Sequence, residues 1–270
     1  MDKVIINADD LGMTPGTNEA IFKGYDTGMI THTSIMANGD YFDEAIEGLH
    51  DRKGLGAGMH LVLTYGKALK PNRIYNNSNS FFNLGYLKLI LLSINNKVFL
   101  KAVEEEFEEQ ILRVIHQGIA LTHIDSHRHI HLIPGIYRIV IKLAKKYNVK
   151  RVRLIHENIF DSFSLTRKFN FILNGGIVKY FLLRSFTAIN ARYENLYHDM
   201  KFYSILYTGV VTKDIVQKLK KSNESYEIMI HPSIIALDEN VVFYDEDEKS
   251  YRISKDREYE LDTVLTVEEK

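Results

Sequence analysis

The chain of 270 residues contains no cysteine. This excludes disulfides, thiolate nucleophiles and Cys-based zinc or iron–sulfur sites, so a metal here must be held by histidines and carboxylates. It is also compatible with a cytoplasmic setting. An excess of one charge is equally lacking: 34 Lys and Arg against 35 Asp and Glu leave a formal net charge of −1. Nucleic-acid binders neutralise phosphates with a basic excess or stripe, and no dense basic run occurs. The closest group, Lys142, Lys145 and Lys146, has the spacing of a solvated helix face. Long hydrophobic runs are missing too. The most apolar stretch after the N-terminus, Leu84 to Ile94, contains Lys88 and falls short of the ~18 residues that a membrane span requires. At the N-terminus, Met1-Asp2-Lys3-Val4-Ile5-Ile6-Asn7 lacks the shape of a signal peptide. These absences predict a cytoplasmic protein with neither nucleic acid nor membrane as partner.

Apolar residues at 45% and charged residues at 26% are ordinary globular values. Strand-like and helix-like segments alternate along the chain. Val4 to Ala8 reads as a buried strand, and Thr14-Pro15 as a helix start with Thr14 at the N-cap and Pro15 at the first helical position. Further strands are predicted over Thr31 to Ala37, Leu55 to Leu63, Ala120 to Ser126, Val149 to Leu154 and Glu227 to Ile230. Helices are predicted over Tyr41 to Leu49, Val98 to His116 and Pro134 to Tyr147, the second carrying Val103, Phe107, Ile111, Leu112 and Ile115 at helical spacing. Ile159 to Met200 reads as helices plus a loop, and Glu258 to Lys270 as a short helix with an acidic tail. The alternation implies a mostly parallel sheet with crossover helices, an α/β barrel or a doubly wound sheet. Both architectures place active sites at the C-terminal ends of strands. With neither repeat nor low-complexity linker, residues 1–270 read as a single domain.

Chemistry-bearing residues gather at those strand ends. Asn7-Ala8-Asp9-Asp10-Leu11-Gly12 sets two adjacent carboxylates after the first strand. Adjacent strand residues point to opposite faces, so both can aim at one site where the strand yields to the loop. Gly56-Ala57-Gly58-Met59-His60 puts His60 late in a strand behind two glycines, a sign of close backbone approach. In Thr122-His123-Ile124-Asp125-Ser126-His127-Arg128-His129-Ile130-His131, Asp125, His127, His129 and His131 alternate. If extended, this segment shows all four on one face. Such crowded ionisable groups are costly to bury without a partner, and neutral imidazole is the commonest protein metal ligand. His231 ends the apolar strand before Pro232. One carboxylate and two histidines make a metal site with open positions for water and substrate. The second carboxylate is then left free as a general base.

Together, Asn7-Ala8-Asp9-Asp10-Leu11-Gly12, Gly58-Met59-His60-Leu61-Val62-Leu63-Thr64, the Asp125-to-His131 run and His231-Pro232 resemble the YdjC-like carbohydrate deacetylase family, which includes chitooligosaccharide deacetylases. The segment Ser250-Tyr251-Arg252 through Leu261 is similar to that family's ending. The matches run in the family's order, leaving 78–100 and 159–200 without a recognised motif. Arg128 stands where relatives often have His, and Leu11 where Phe is common. The resemblance implies an irregular (β/α) barrel with its metal site at the C-terminal strand ends. It further implies one divalent ion, Mg2+ or Zn2+, and hydrolysis of N-acetyl groups on sugars. It implies Asp10, His60 and His127 as metal ligands, Asp9 as the base, and His231 as the group that stabilises or protonates the departing amine. Asp125, His129 and His131 would orient ligands or touch substrate. A metal-dependent phosphoesterase or amidohydrolase is the second reading, although such barrels tend to carry His-x-His in the first strand. A non-enzymatic jelly-roll binding module is the third, disfavoured by the helices. A homodimer is expected from how common dimers are.

Overall fold

The computed structural model describes residues 3–166, 176–191 and 200–266. β1 (Val4–Leu11) leads into α1 (Pro15–Asp26), whose first turn is closed by the Thr14 hydroxyl accepting from the Thr17 N–H at 3.1 Å. α1 ends where Gly28 takes a left-handed φ of 83°. β2 (His32–Ile35), α2 (Phe42–Asp51) and β3 (Gly56–Leu61) follow. α3 (Tyr86–Asn95), α4 (Lys97–Ile115), β4 (Ile124–Ser126) and α5 (Pro134–Lys146) come next. The remainder comprises α6 (Ile159–Thr166), α7 (Gly176–Asn190), β5 (Lys201–Tyr203), α8 (Lys213–Lys221), β6 (Tyr226–Ile230), α9 (Ile235–Asp238), α10 (Glu246–Arg252) and α11 (Lys255–Leu265).

The six strands form one parallel sheet in the order β4-β3-β2-β1-β6-β5. Its two edges are both reached by the segment 151–156. On one side the Ile124 N–H donates to Arg151 O at 2.9 Å and the Arg153 N–H to Ile124 O at 3.0 Å. On the other the Phe202 N–H donates to His156 O at 3.3 Å. The sheet is therefore curled into a barrel-like α/β fold with helices outside. The predicted strand over Val149 to Leu154 is reduced to a single bridge between Val152 and Ile124, because its two neighbours bond it at different heights. The predicted strand Ala120 to Ser126 shrinks to Ile124–Ser126.

Parity along the strands divides apolar from polar. Ile6, Ala8, Ile35, Met59, Leu61, Ile124, Val152, Ile228 and Ile230 are buried apolar residues of the sheet. The alternate positions Asn7, Asp9, Ser34, His60, His123, Asp125, Arg153 and Glu227 are joined to one another by hydrogen bonds and ion pairs. The interior of the curl is thus a polar network rather than an apolar core. Gly58 fits this parity: a Cβ there would stand 2.2 Å from the His123 ring, so the glycine makes room for an imidazole.

Outside, α4 buries Phe99, Val103, Phe107, Ile111 and Val114, and its carboxylates meet the lysines of α5, Lys142 with Glu104 at 2.5 Å and Lys146 with Glu108. The solvated face expected for those lysines is found. The apolar run Leu84 to Ile94 becomes α3, with Leu87, Leu91 and Ile94 exposed. Among the described residues no helix is long and apolar enough to cross a membrane. Of Ile159 to Met200, the described parts are helical, α6 and α7; residues 167–175, 192–199 and the tail 267–270 lie outside the described residues.

Candidate active site

A cleft of about 500 Å³ opens at the C-terminal ends of the strands, with Asp9, Asp10, His60, His127, His231 and Arg252 in its lining. β1 continues through both aspartates to Leu11, rather than stopping before them. A register shift lies between Ala8 and Leu11, and Asp10 has a left-handed φ of 72°. This bulge turns Asp10 toward the side that Asp9 already faces, which plain alternation forbids. Non-glycine residues in that conformation cost about 1–3 kcal/mol and persist where their surroundings hold them. Here the hold is Arg252, whose Nη2 donates to Asp10 Oδ2 at 2.6 Å.

The four residues Asp125, His127, His129 and His131 do not share an extended face. The chain leaves β4 at Ser126 and enters a tight helical turn over His127–Leu132 in which Arg128 and His129 both have left-handed φ, 55° and 56°. Period two ends there, and each side chain goes its own way. Asp125 stays in the barrel interior, while His127 and His129 reach the cleft. His131 is turned back, with Nδ1 2.6 Å from Ser126 Oγ and Nε2 3.0 Å from Arg153 O. Burial drives the His131 pKa down to about 4, as suits a neutral structural imidazole.

Asp9 is gripped by a guanidinium. Arg153 Nη1 donates to Oδ2 at 2.7 Å, Arg153 Nη2 to Oδ1 at 2.8 Å, and Asn7 Nδ2 to Oδ1 at 2.7 Å. Burial raises the Asp9 pKa and prevails over Arg153, which lowers it, with Asp125 adding to the rise. Burial also works against the charged form of Asp10, but Arg252 and His60 outweigh it and hold that carboxyl well below the usual range. Burial disfavours a charged His60, yet Asp125 and Asp10 on either side lift its pKa to about 10. The field at its ring favours positive charge.

Any cation site must leave lone pairs free. His60 Nδ1 is 2.7 Å from Asp125 Oδ1, which leaves Nε2 facing Asp10 Oδ1 at 3.1 Å. Asp10 Oδ2 is taken by Arg252, whereas buried Oδ1 has no other partner among the described residues. His127 Nδ1 is 2.9 Å from Thr64 Oγ1, leaving Nε2 on the Glu248 side at 3.4 Å. A metal-bound histidine engages its second nitrogen in this way. Asp10, His60 and His127 thus each keep a ligand atom free on the cleft. The group whose ligand atoms lie within 4.8 Å of one another, among the described residues, is a different one: Asp9, His60 and Asp125. In that set Arg153 already occupies both oxygens of Asp9 and, at 2.6 Å, Asp125 Oδ2. An ion there would compete with a guanidinium.

His231 follows β6, and its Nε2 lies 3.9 Å from both Asp9 Oδ2 and Asp10 Oδ2. Its ring stands edge-on to Tyr251, 5.8 Å between centroids. α11 fixes its backbone: Glu260 accepts its N–H at 2.7 Å and Arg257 donates to its carbonyl at 2.8 Å. Burial, with Arg257 and Arg252, drives its pKa well down despite Asp10.

Known proteins resemble this chain along most of its length. The family described as YdjC-like protein matches residues 3–268. The chain belongs to this family. A carbohydrate deacetylase of Listeria innocua is 32% identical over 234 residues, 86% of this chain and 82% of that protein. Another from Clostridium beijerinckii is 31% identical over 171 residues, 62% of this chain and 67% of its own length. Among solved structures, an Enterococcus faecalis protein provisionally assigned to cellobiose-phosphate cleavage has the same fold. Its TM-score is 0.65 at 21% identity, covering 98% of this chain and 95% of that one.

This YdjC-like site uses residues that sequence reasoning did not single out: Ser34, Thr64, Arg153, Glu157, Glu227 and Glu248, and, for its grip on Asp10, Arg252. Arg153 and Glu227 had a readable signal, since a charged residue inside an apolar strand needs a partner. Glu157 has a different role. Its side chain accepts from Ser162 Oγ at 2.7 Å and from the backbone N–H groups of Ile205 at 2.7 Å and Leu206 at 3.4 Å, holding one wall of the cleft. Burial pushes its pKa up to about 7, against those bonds and Lys179. The folded state thus favours the protonated form. That stability is full below the ordinary value of 4.5 and is lost as pH rises through about 7. The whole effect is about 3 kcal/mol. Glu157→Gln should therefore gain about that much relative to the parent protein between pH 4 and pH 8, as urea unfolding at the two pH values would read. An unchanged gap contradicts this account.

Proposed function

We propose that this YdjC-like protein hydrolyses N-acetyl groups on acetylated sugars or oligosaccharides of the chitooligosaccharide type, releasing acetate, with residues 1–270 acting as one domain. The observation that carries the reading is the convergence of Asp9, Asp10, His60, His127 and His231 on one cleft. Relatives named carbohydrate deacetylases support the substrate class. Asp10, His60 and His127 would hold one divalent ion, Mg2+ or Zn2+. Such an ion supplies Lewis acidity, polarising a carbonyl oxygen and lowering the pKa of water.

The protein's own groups handle the protons. Asp9 accepts one from the attacking water as its oxygen bonds to the acetyl carbon, using a lone pair that Arg153 and Asn7 leave free. Arg153 keeps that carboxylate aimed. His231 delivers a proton to the amine nitrogen as the C–N bond breaks, leaving an amino sugar and acetate. The 3.9 Å between His231 Nε2 and Asp9 Oδ2 supports passage to His231 of the proton that Asp9 has taken.

Acetate release from diacetylchitobiose by metal-loaded and EDTA-stripped protein tests the reading. Release should vanish on stripping and return with Mg2+ or Zn2+. Metal-containing protein that releases no acetate from any N-acetylglucosamine oligomer would instead favour another acetylated substrate or the phosphoesterase reading.

A further inference from the structure

The loop after β3 is tied down from outside the barrel. α4 contributes Gln110, whose Nε2 donates to Val62 O at 2.8 Å and whose Oε1 accepts the Val62 N–H at 2.9 Å. One turn earlier, buried Glu106 accepts the backbone N–H groups of Leu69 and Lys70 at 3.0 and 2.6 Å, and its Oε1 also takes Gln110 Nε2 at 2.8 Å. Residues 62 and 69–70 are thus clamped to one face of a 19-residue helix. Between the clamps stands Thr64, half-buried, with Oγ1 2.9 Å from His127 Nδ1.

His127 needs such a partner more than His60 does. His60 is held by a carboxylate, which when ionised only accepts, so its proton is drawn to Nδ1. His127 instead follows β4 at the start of the left-handed turn, and its Nε2 has an acceptor of its own, Glu248 Oε2 at 3.4 Å. Left to Glu248, the ring would keep its proton on Nε2, where it blocks metal ligation. A threonine hydroxyl both donates and accepts. It can therefore serve either tautomer, and as an acceptor for Nδ1–H it frees the Nε2 lone pair.

We infer that Thr64 is a positioning residue for the metal site: its hydroxyl, clamped through Val62 by Gln110, sets the ring and tautomer of His127 for ligation. This rests on the proposed ligand set, and the experiment separates the two. Mn2+ and Zn2+ binding would be titrated calorimetrically on metal-stripped parent protein and on Thr64→Val, Thr64→Ser and His127→Ala. Thr64→Val keeps the side-chain shape and should weaken binding roughly 10–100-fold, the usual loss for the partner of a ligating histidine. Thr64→Ser should bind within a few-fold of the parent, and His127→Ala should lose most affinity. Thermal unfolding of the stripped proteins checks that Thr64→Val is folded. Parent-like binding by Thr64→Val beside a defective His127→Ala overturns the inference alone. So does a Thr64→Ser defect equal to that of Thr64→Val, which would assign the effect to the loop rather than the hydroxyl. Parent-like binding by His127→Ala overturns the ligand set itself.

Discussion

Asp9→Asn should release acetate roughly 10²–10⁴-fold more slowly while keeping its metal, the loss usual for a positioned general base. The substitution preserves size, and the amide oxygen can still accept one of the Arg153 bonds, so the fold should survive. What disappears is a basic lone pair on a carboxyl whose pKa burial has raised. Metal content measured on the same sample makes the result decisive between the two clusters. If the base reading holds, kcat falls with metal stoichiometry unchanged. If the variant instead loses its metal, the ion is held by Asp9 with His60 and Asp125, and the proton acceptor must be sought elsewhere. Full activity with metal retained removes Asp9 from the chemistry altogether.

One carboxylate for a metal and one for a base could be proposed from the residues, but which of Asp9 and Asp10 takes which part was legible only as a family expectation, and the reason is local. A sequence shows two adjacent carboxylates at a strand end, but the bulge that brings them to one side depends on Asp10 adopting a φ of 72° with no glycine to announce it. The same applies beyond β4. Alternation of Asp125, His127, His129 and His131 suggested an extended face, and the left-handed pair Arg128 and His129 breaks it. What could be read was whatever depends on short-range pattern. The N-cap at Thr14, the apolar face of α4 and the alternation of strands with helices all follow from neighbours in sequence. Partners that arrive from far along the chain could not be read. Arg252 meets Asp10 across 242 residues, and Glu248 approaches His127 from the same helical turn. The glycines before His60 did signal close approach, but of His32 and His123 rings on the neighbouring segments rather than of a ligand.

Arg153→Met should destabilise the metal-stripped protein by about 3–5 kcal/mol, the range for breaking a buried ion pair from one side. Arg153 is fully buried and touches three carboxylates: Asp9, Asp125 at 2.6 Å and Glu227 at 2.7 Å. Glu227 keeps Arg151 as a second partner and Asp125 keeps His60 at 2.7 Å, so the uncompensated charge falls chiefly on Asp9. Asp9 is 1% exposed, and the hydrogen-bond partner it retains, Asn7, is neutral. Domains of ordinary stability have about 5–15 kcal/mol in hand, so the variant should unfold at distinctly lower urea or express poorly. Lysine should not restore it, because a single ammonium cannot reproduce a two-pronged grip on Asp9 while reaching Asp125 and Glu227. The sharper test is a double-mutant cycle. Adding Asp9→Asn to Arg153→Met removes one stranded charge and should recover part of the loss, a coupling of about 0.5–3 kcal/mol for residues in one network. Additive losses, with no recovery, would mean that Asp9 does not depend on Arg153 for its charge. The guanidinium would then be holding Asp125 and Glu227 alone, and Asp9 would need another source of its orientation toward the cleft.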